Sequence, residues 1–481
     1  MSEPPVFAPD PLNAPLARET PVVMHDNARI VDGTFIIGGS PWRLLRLASA
    51  STEVVKRWHV GGHVRAGEER FARTLVQRGI LRPVHHGPLL VDEIDVVIPV
   101  RDNIANLRTL LTQLRDLHVT IVDDASLDPL LLTEIANHFG AELIRLDVNG
   151  GPGAARNAGV RATSRPLLCF VDADVEFDDA HAVLQRLSVQ FQDPMVGACA
   201  PRIVGARGPT LRDRFEERFS PLDLGPHDGL VIPDSDINFV PSACLMVRRE
   251  AFADGFDETL RLGEDVDLVW RLHDRGWLVR YHPSVCVQHR ARTTWRAWFS
   301  QRVGYGSSAG ALAERHGERL APVRFDIWSL VTWTSLVAGR PLVAARIASV
   351  VRRRVRSRIT DSDQPDVIAN EIIRRAMVSG AGGFARSLVR NFGPVLVLLA
   401  MNPRTRRPAL VVFAIGTLWR FRYQRPRPSD IALGILDDAA YGVGVAKGAF
   451  EHRSLQALTP RVIPSSLRLR DFFAGPGRLS P

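Results

Sequence analysis

Hydrophobic and polar positions divide the chain into stretches of different period. Between residues 91 and 292, short apolar runs alternate with amphipathic segments. IDVVIPV (94–100) is an apolar run of the kind buried in a parallel sheet. In the segment that follows, Ile104, Leu107, Leu111 and Leu114 fall on one helical face. The alternation continues through VTIVDD (119–124), a helix over 130–139, ELIRL (142–146), a glycine-rich helix start at 149–153 and LLCFVDAD (167–174). A β-α-β-α-β-α-β order predicts a doubly wound α/β sheet.

The flanks read differently. Residues 1–27 are proline-rich and aperiodic, which predicts a flexible lead. Over 28–90, ARIVDGTFIIGG reads as a hairpin and PWRLLRLA and STEVVKRW as helices. EERFARTLVQRGILRP reads as a helix closed by Gly79 and stopped by Pro83. A core domain over 91–322 would follow, then a helical region over 323–481. There the longest uncharged stretches, Ile327–Gly339, Asn391–Pro403 and Pro408–Trp419, run to 13, 13 and 12 residues. A spanning helix needs about 20. Short apolar helices flanked by arginine fit either an interfacial arrangement or an ordinary helical domain with an arginine-covered surface.

Composition changes this picture in a few places. With 45% hydrophobic and 23% charged residues the chain is globular, which excludes wholesale disorder or coiled coil. Only Lys56 and Lys447 are lysines, and 18 arginines face five acids between Arg340 and Asp430. That local excess points to an acidic or membranous surface. No nucleic-acid reader motif accompanies it, so a nucleic-acid partner is not expected. Cys169, Cys199, Cys244 and Cys286 form no CxxC and read as buried free thiols. The N-terminus has no secretory pattern, which predicts a protein on the cytoplasmic side of the membrane.

Chemistry concentrates where strands end. In an open α/β sheet, ligands bind at the carboxyl ends of the strands. Asp102, Asp123, Asp124, Asp172 and Asp174 all fall there. FVDADVEF puts two carboxylates two residues apart on one side of a strand end, an arrangement that a divalent cation relieves of its repulsion. NGGPGAARNAG offers backbone amides to an anion at a helix start. It follows the third strand and lacks the spacing of a dinucleotide or Walker A loop, so Arg156 reads as a side-chain clamp on a diphosphate. Glu264, Asp265 and Asp267 open a helix whose dipole favours acids there, so not all of them need a function. His289 is a lone histidine near a strand end; such a residue is usually structural, though imidazole also joins carboxylates around Mn²⁺.

IPVRDN, VTIVDDAS, NGGPGAARNAG, FVDADV and GEDVDLVWRLHDRGW, in this order, resemble the motifs of family 2 glycosyltransferases with the GT-A fold. The resemblance covers roughly residues 92–310. It implies that Asp124 hydrogen-bonds the uracil of a UDP-sugar donor, with Pro99 and Asp102 near that base pocket. It implies Asp172 at the ribose, Asp174 on a Mg²⁺ or Mn²⁺ ion with His289 as a further ligand, and Asp265, beside Glu264, as catalytic base. IIGGSPWRLLRLA, SPLDLG (220–225), VPSACLMVRREAF (240–252) and YGSSAGALAERH (305–316) resemble the mycofactocin-system glycosyltransferases. These add glucose units to a peptide-derived redox cofactor or its precursor, which implies inverting transfer from UDP-glucose. The N-terminal module resembles the small PqqD-like domains that hold precursor peptides, and would otherwise be a structural appendage. Rival readings are a cell-wall or lipid-linked rhamnosyl or galactofuranosyl transferase, and a glycan- or peptide-binding pseudoenzyme.

Overall fold

The computed structural model describes residues 14–88, 91–359 and 361–463. Its N-terminal part contains two three-stranded sheets. β1 (Pro21–Met24) pairs antiparallel with β5 (Gly62–His63) and β6 (Leu81–Pro83), while β2 (Arg29–Val31), β3 (Phe35–Gly38) and β4 (Arg43–Arg46) form a meander. α1 (Ser49–His59) and α2 (Glu69–Gln77) complete this part. Two details depart from the sequence reading. Residues 21–24, assigned to the lead, are a sheet strand with Val22 buried, and residues 1–13 lie outside the described residues. RLLR is strand β4 rather than helix, because both of its leucines are buried on different partners. Leu45 joins the core shared with the central sheet, and Leu44 packs against Val355 and Ile368 of the C-terminal helices.

The central sheet has nine strands. It contains β7 (Ile94–Val100), β8 (His118–Asp123), β9 (Glu142–Arg145), β10 (Leu167–Val171), β11 (Val175–Glu176), β12 (Val196–Gly205), β13 (Gly229–Leu230), β14 (Cys244–Arg248) and β15 (Leu278–His289). The order is β11-β15-β12-β14-β10-β7-β8-β9, with β13 added to β15. β10, β7, β8 and β9 are parallel, and β14 runs antiparallel between β10 and β12. Alternation along β7 sends Val96 and Ile98 to one face and Val97 to the other. The first face is covered by α3 (Ile104–Gln113), α4 (Pro129–Phe139), α6 (Ala180–Ser188) and the N-terminal part. The second is covered by α5 (Pro152–Ala162) and α8 (Glu264–Asp274). This is the layered α/β arrangement expected from the alternation, with the antiparallel β14 set into the otherwise parallel centre. Trp58, Phe71 and Ile80 share one apolar cluster with Ile94 and Leu107, and Arg73 makes two 2.8 Å hydrogen bonds to Asp193, both side chains buried. Cys169, Cys199 and Cys244 are buried free thiols; Cys286, expected buried, is exposed.

The C-terminal third folds back onto this core. β16 (Arg324–Asp326) pairs with β17 (Arg461–Ile463). The helices are α10 (Ile327–Val337), α11 (Pro341–Arg356), α12 (Pro365–Met401), α13 (Arg406–Arg420) and α14 (Pro428–Glu451). α12 departs from helical geometry at Phe392, two residues before Pro394, whose ring cannot follow an unbroken turn. It is long and apolar enough to cross a membrane by length and composition, with a mean hydropathy of 1.3 in its most apolar window and 17% of that window buried.

α14 lies against α9 (Trp295–His316) at backbone distance. A Cβ on Gly306 would collide with the Tyr441 carbonyl oxygen, and one on Gly444 with that of Val303. The glycines of YGSSAG are thus required by this crossing. A chain of buried ion pairs continues outward. Arg302 of α9 holds Glu216 of α7 (Leu211–Phe219) and, at 2.8 Å, Asp437; Arg420 reaches Asp437 at 2.7 Å and Asp438 at 2.9 Å; Arg386 closes on Asp438. Part of the arginine excess is therefore internal. Gly306→Ala and Gly444→Ala should each cost about 1–3 kcal/mol, the usual penalty for overpacking, and lower the melting temperature. Gly383→Ala, whose Cβ would meet nothing within 4 Å, should hold or raise it.

Candidate active site

A cavity of about 930 Å³ opens where β7, β8 and β10 end. Pro99, Asp124, Arg156, Asp172, Asp174, Glu264, Asp265 and His289 all line it. Asp102 does not. It holds φ at 54°, and its Oδ1 accepts the Leu127 N–H at 2.7 Å while its own N–H donates to Ser126 Oγ at 3.0 Å. It braces the loop after β8 and is not part of the cavity wall.

The glycine-rich turn does not present free amides. Gly150 N–H and Gly151 N–H donate to the Asp124 carboxylate at 2.6 and 2.9 Å, so the anion they hold is this side chain. Gly151 adopts φ 87°, a left-handed conformation open to glycine at little cost, and α5 starts directly after it. Arg156 also differs from expectation. The residue is 2% exposed, and its guanidinium donates to Asp172 at 2.6 Å and to Glu264 at 2.8 Å and lies 5.3 Å from the Phe256 ring centroid. With both terminal nitrogens on carboxylates it ties two acidic motifs together instead of waiting for a diphosphate.

α8 begins at Glu264, after Gly263 at φ 84°. Asp265 Oδ1 accepts the Val266 N–H at 2.8 Å and Oδ2 the Ser242 N–H at 3.4 Å, which aims a half-buried carboxylate along the wall. Burial pushes the Asp265 pKa up against these bonds. Burial, then the neighbouring Asp265 charge, pushes Glu264 up to about 7 in spite of Arg156. Asp267, the third acid, is fully buried among Arg271, Arg315 and His316, and those bonds outweigh its burial and hold it at about 2. It is structural and does not line the cavity.

Asp174 and His289 meet across the β11–β15 pairing, with Nε2 3.2 Å from the carboxylate and Arg292 3.4 Å from its other oxygen. Burial would raise Asp174, but the imidazole and Arg292 hold it at about 2; burial would lower His289, but Asp174 leaves it raised. An ionised carboxylate beside an imidazole is a donor set that suits Mn²⁺- or Mg²⁺-type ions with oxygen ligands supplied from elsewhere. Among the described residues no group of three or more His, Cys, Asp or Glu side chains converges as a complete cage. The set therefore fits an ion carried partly by a ligand. The wall also contains Arg261, Trp270, Arg292, Tyr305, Arg390 and Tyr441, none of them among the residues anticipated. Tyr305 lies in the YGSSAG motif. Arg390 and Tyr441 carried no local signal, since only folding returns α12 and α14 to the sheet.

The family model Glycosyl transferase family 2 matches residues 95–256. Pre-mycofactocin glycosyltransferases from two strains of Mycobacterium tuberculosis are 34% identical over 456 residues, 90% of this chain and 95% of theirs. The chain belongs to the family 2 glycosyltransferases. An N-acetylglucosaminyl-diphospho-decaprenol L-rhamnosyltransferase of Mycobacterium tuberculosis is 41% identical over 250 residues, covering 44% of this chain and 80% of the relative. Among solved structures, a mannosyltransferase from Pyrobaculum calidifontis in complex with GDP-Man and Mn²⁺ aligns at 15% identity and TM-score 0.43, over 79% of this chain and 94% of that one.

The raised Glu264 pKa has a measurable consequence for this glycosyltransferase. The fold favours the protonated acid, so its contribution is full below the ordinary 4.5 and is lost as pH rises through about 7. Glu264→Gln, neutral at every pH, should show a smaller fall in melting temperature between pH 5 and pH 8 than wild type. An unchanged fall would mean that Glu264 is already ionised at pH 5.

Proposed function

We propose that this glycosyltransferase transfers glucose from UDP-glucose, with inversion, to a peptide-derived redox cofactor or its precursor in mycofactocin biosynthesis. The observation that carries the reading is the gathering of Asp124, Asp172, Asp174, His289 and Asp265 on one cavity wall. The likeness to pre-mycofactocin glycosyltransferases along 90% of the chain supports the acceptor class. Pro99 and Asp124 take the base end, where the fixed Asp124 carboxylate keeps lone pairs for a uracil N–H. Asp172 takes the ribose hydroxyls, with Arg156 as its positioning residue. Asp174 and His289 hold Mg²⁺ or Mn²⁺, which when bound neutralises charge on the diphosphate. Asp265 accepts the proton of the acceptor hydroxyl as that oxygen attacks the anomeric carbon from the face opposite the diphosphate. The carbon–oxygen bond to UDP breaks, and the configuration inverts.

Asp174→Asn should weaken donor binding and abolish its dependence on Mn²⁺ or Mg²⁺ in calorimetric titrations. Asp265→Asn should keep donor binding while transfer falls by about 10²–10⁴-fold. Loss of UDP binding in Asp265→Asn would overturn the base assignment. The 41% identity to the rhamnosyltransferase favours a second reading, a lipid-linked rhamnosyl enzyme. Turnover of dTDP-rhamnose without turnover of UDP-glucose would select it.

We further propose that the enzyme works on the cytoplasmic face of the membrane. Val397, Leu398, Met401, Leu410 and Leu418 are exposed on α12 and α13, around exposed Arg404, Arg406 and Arg407. Exposed apolar side chains on the same two helices as exposed arginines suit the headgroup region of an anionic bilayer. The protein should cosediment with phosphatidylglycerol vesicles, be only partly released by high salt, and ignore phosphatidylcholine vesicles. No cosedimentation with either would count against it.

A further inference from the structure

The cavity is walled on one side by helices that lie outside the central sheet domain. Arg386, Ser387, Arg390 and Asn391 of α12 and Tyr441 of α14 face the same space as Asp174 and Asp265. Their positions are fixed by the glycine crossing of α9 and α14 and by the ion-pair chain that ends at Arg386. A wall so held is preorganised, and preorganised side chains lose little entropy on binding.

Two arginines of this wall have different partners. Arg386 is spent on Asp438. Arg390 makes no ion pair among the described residues; its guanidinium carbon lies 3.6 Å from the Tyr441 ring centroid, and its Nε–H is buried without an acceptor. Tyr441 covers one face of the guanidinium and the buried Nε is closed to solvent, so the terminal nitrogens are the donors left for a ligand in the cavity that Arg390 lines.

We propose that Arg390 and Tyr441 form an acceptor subsite that recognises a planar group bearing hydrogen-bond-accepting oxygens, a carboxylate or a carbonyl. The two terminal nitrogens of Arg390 donate to those oxygens, and the group lies along the Tyr441 ring. The acceptor is gripped by the C-terminal helices while its hydroxyl is presented to Asp265. The inference rests on the glycosyl-transfer reading, and its test separates the two.

With full-length protein, UDP-glucose and pre-mycofactocin, Arg390→Gln should raise the acceptor KM by about 10- to 100-fold, the range for hydrogen bonds to a charged group. The donor KM should hold. Arg390→Lys keeps the charge but not the fork, and should recover the affinity only in part. Tyr441→Ala removes the ring that covers the guanidinium and should also raise the acceptor KM, whereas Arg115→Gln, on the exposed surface after α3, should match wild type. An unchanged acceptor KM, or a rise in donor KM instead, would overturn the proposal, the latter by assigning Arg390 to the diphosphate. A second arm needs no transfer. Benzoate and benzamide, titrated with UDP present and read by saturation-transfer NMR, should give a saturable signal with wild type for at least one probe. Benzoate alone would identify a carboxylate and both together a carbonyl. The signal should disappear in Arg390→Gln, and a signal that persists there would end the idea. Wild type that bound the probes but failed to glycosylate pre-mycofactocin would remove the functional reading and leave the subsite standing.

Discussion

A guanidinium shut away from water must be met by counter-charge, and Arg156 is met twice. Desolvation would cost several kcal/mol without partners. Asp172 and Glu264 supply them, one from the end of β10 and the other from the first turn of α8. Because Arg156 sits on α5, this single side chain registers three elements of the central domain against one another. The consequence reaches Asp265, whose neighbour is held from below while its own carboxylate is fixed by two backbone amides. Glu264 is left tied to Arg156, and Asp265 is the one aimed along the cavity wall.

Counter-charge of the same kind organises the C-terminal third. Buried ion pairs contribute little net stability against well-packed apolar groups, but each arginine can satisfy itself only in one arrangement. The alternation from Glu216 through Arg302, Asp437, Arg420 and Asp438 to Arg386 fixes how α12, α13 and α14 meet α7 and α9. The glycine contacts act with it, since they bring α14 so close that its side chains reach the cavity. The helices that expose apolar surface on one side thus wall the cavity on the other. Acceptor recognition and membrane contact, as proposed, would share α12.

The N-terminal part is bound in by a different device. Its helices bury Trp58 and Phe71 in the apolar cluster that also covers the central sheet, and Arg73 pairs with Asp193 inside that boundary. Its second sheet is enclosed from the other side by α11 and α12 through Val355 and Ile368. The N-terminal part is therefore buried from two sides, by the central sheet in one apolar cluster and by the C-terminal helices in another.

Local pattern by itself determined the alternating strands and helices from 94 to 171, because a buried parallel strand and an amphipathic helix each write a period into neighbouring residues. It also determined which acids sit at strand ends, since Asp124 and Asp172 follow their strands directly and Asp174 lies two residues beyond Asp172. Folding decided how those groups are used. Asp102 and Asp124 both follow strands, yet one braces a loop and the other accepts two glycine amides at the cavity wall. RLLR became a strand because partners remote in sequence cover both of its sides. Asp267 was indistinguishable from its neighbours in a run of acids until Arg271, Arg315 and His316 closed around it. Arg390 and Tyr441 reach the cavity only because α12 and α14 fold back over more than a hundred residues onto the sheet. Spacing along the chain records contacts within an element, whereas the pairing of charges between distant elements exists only once the interior has closed.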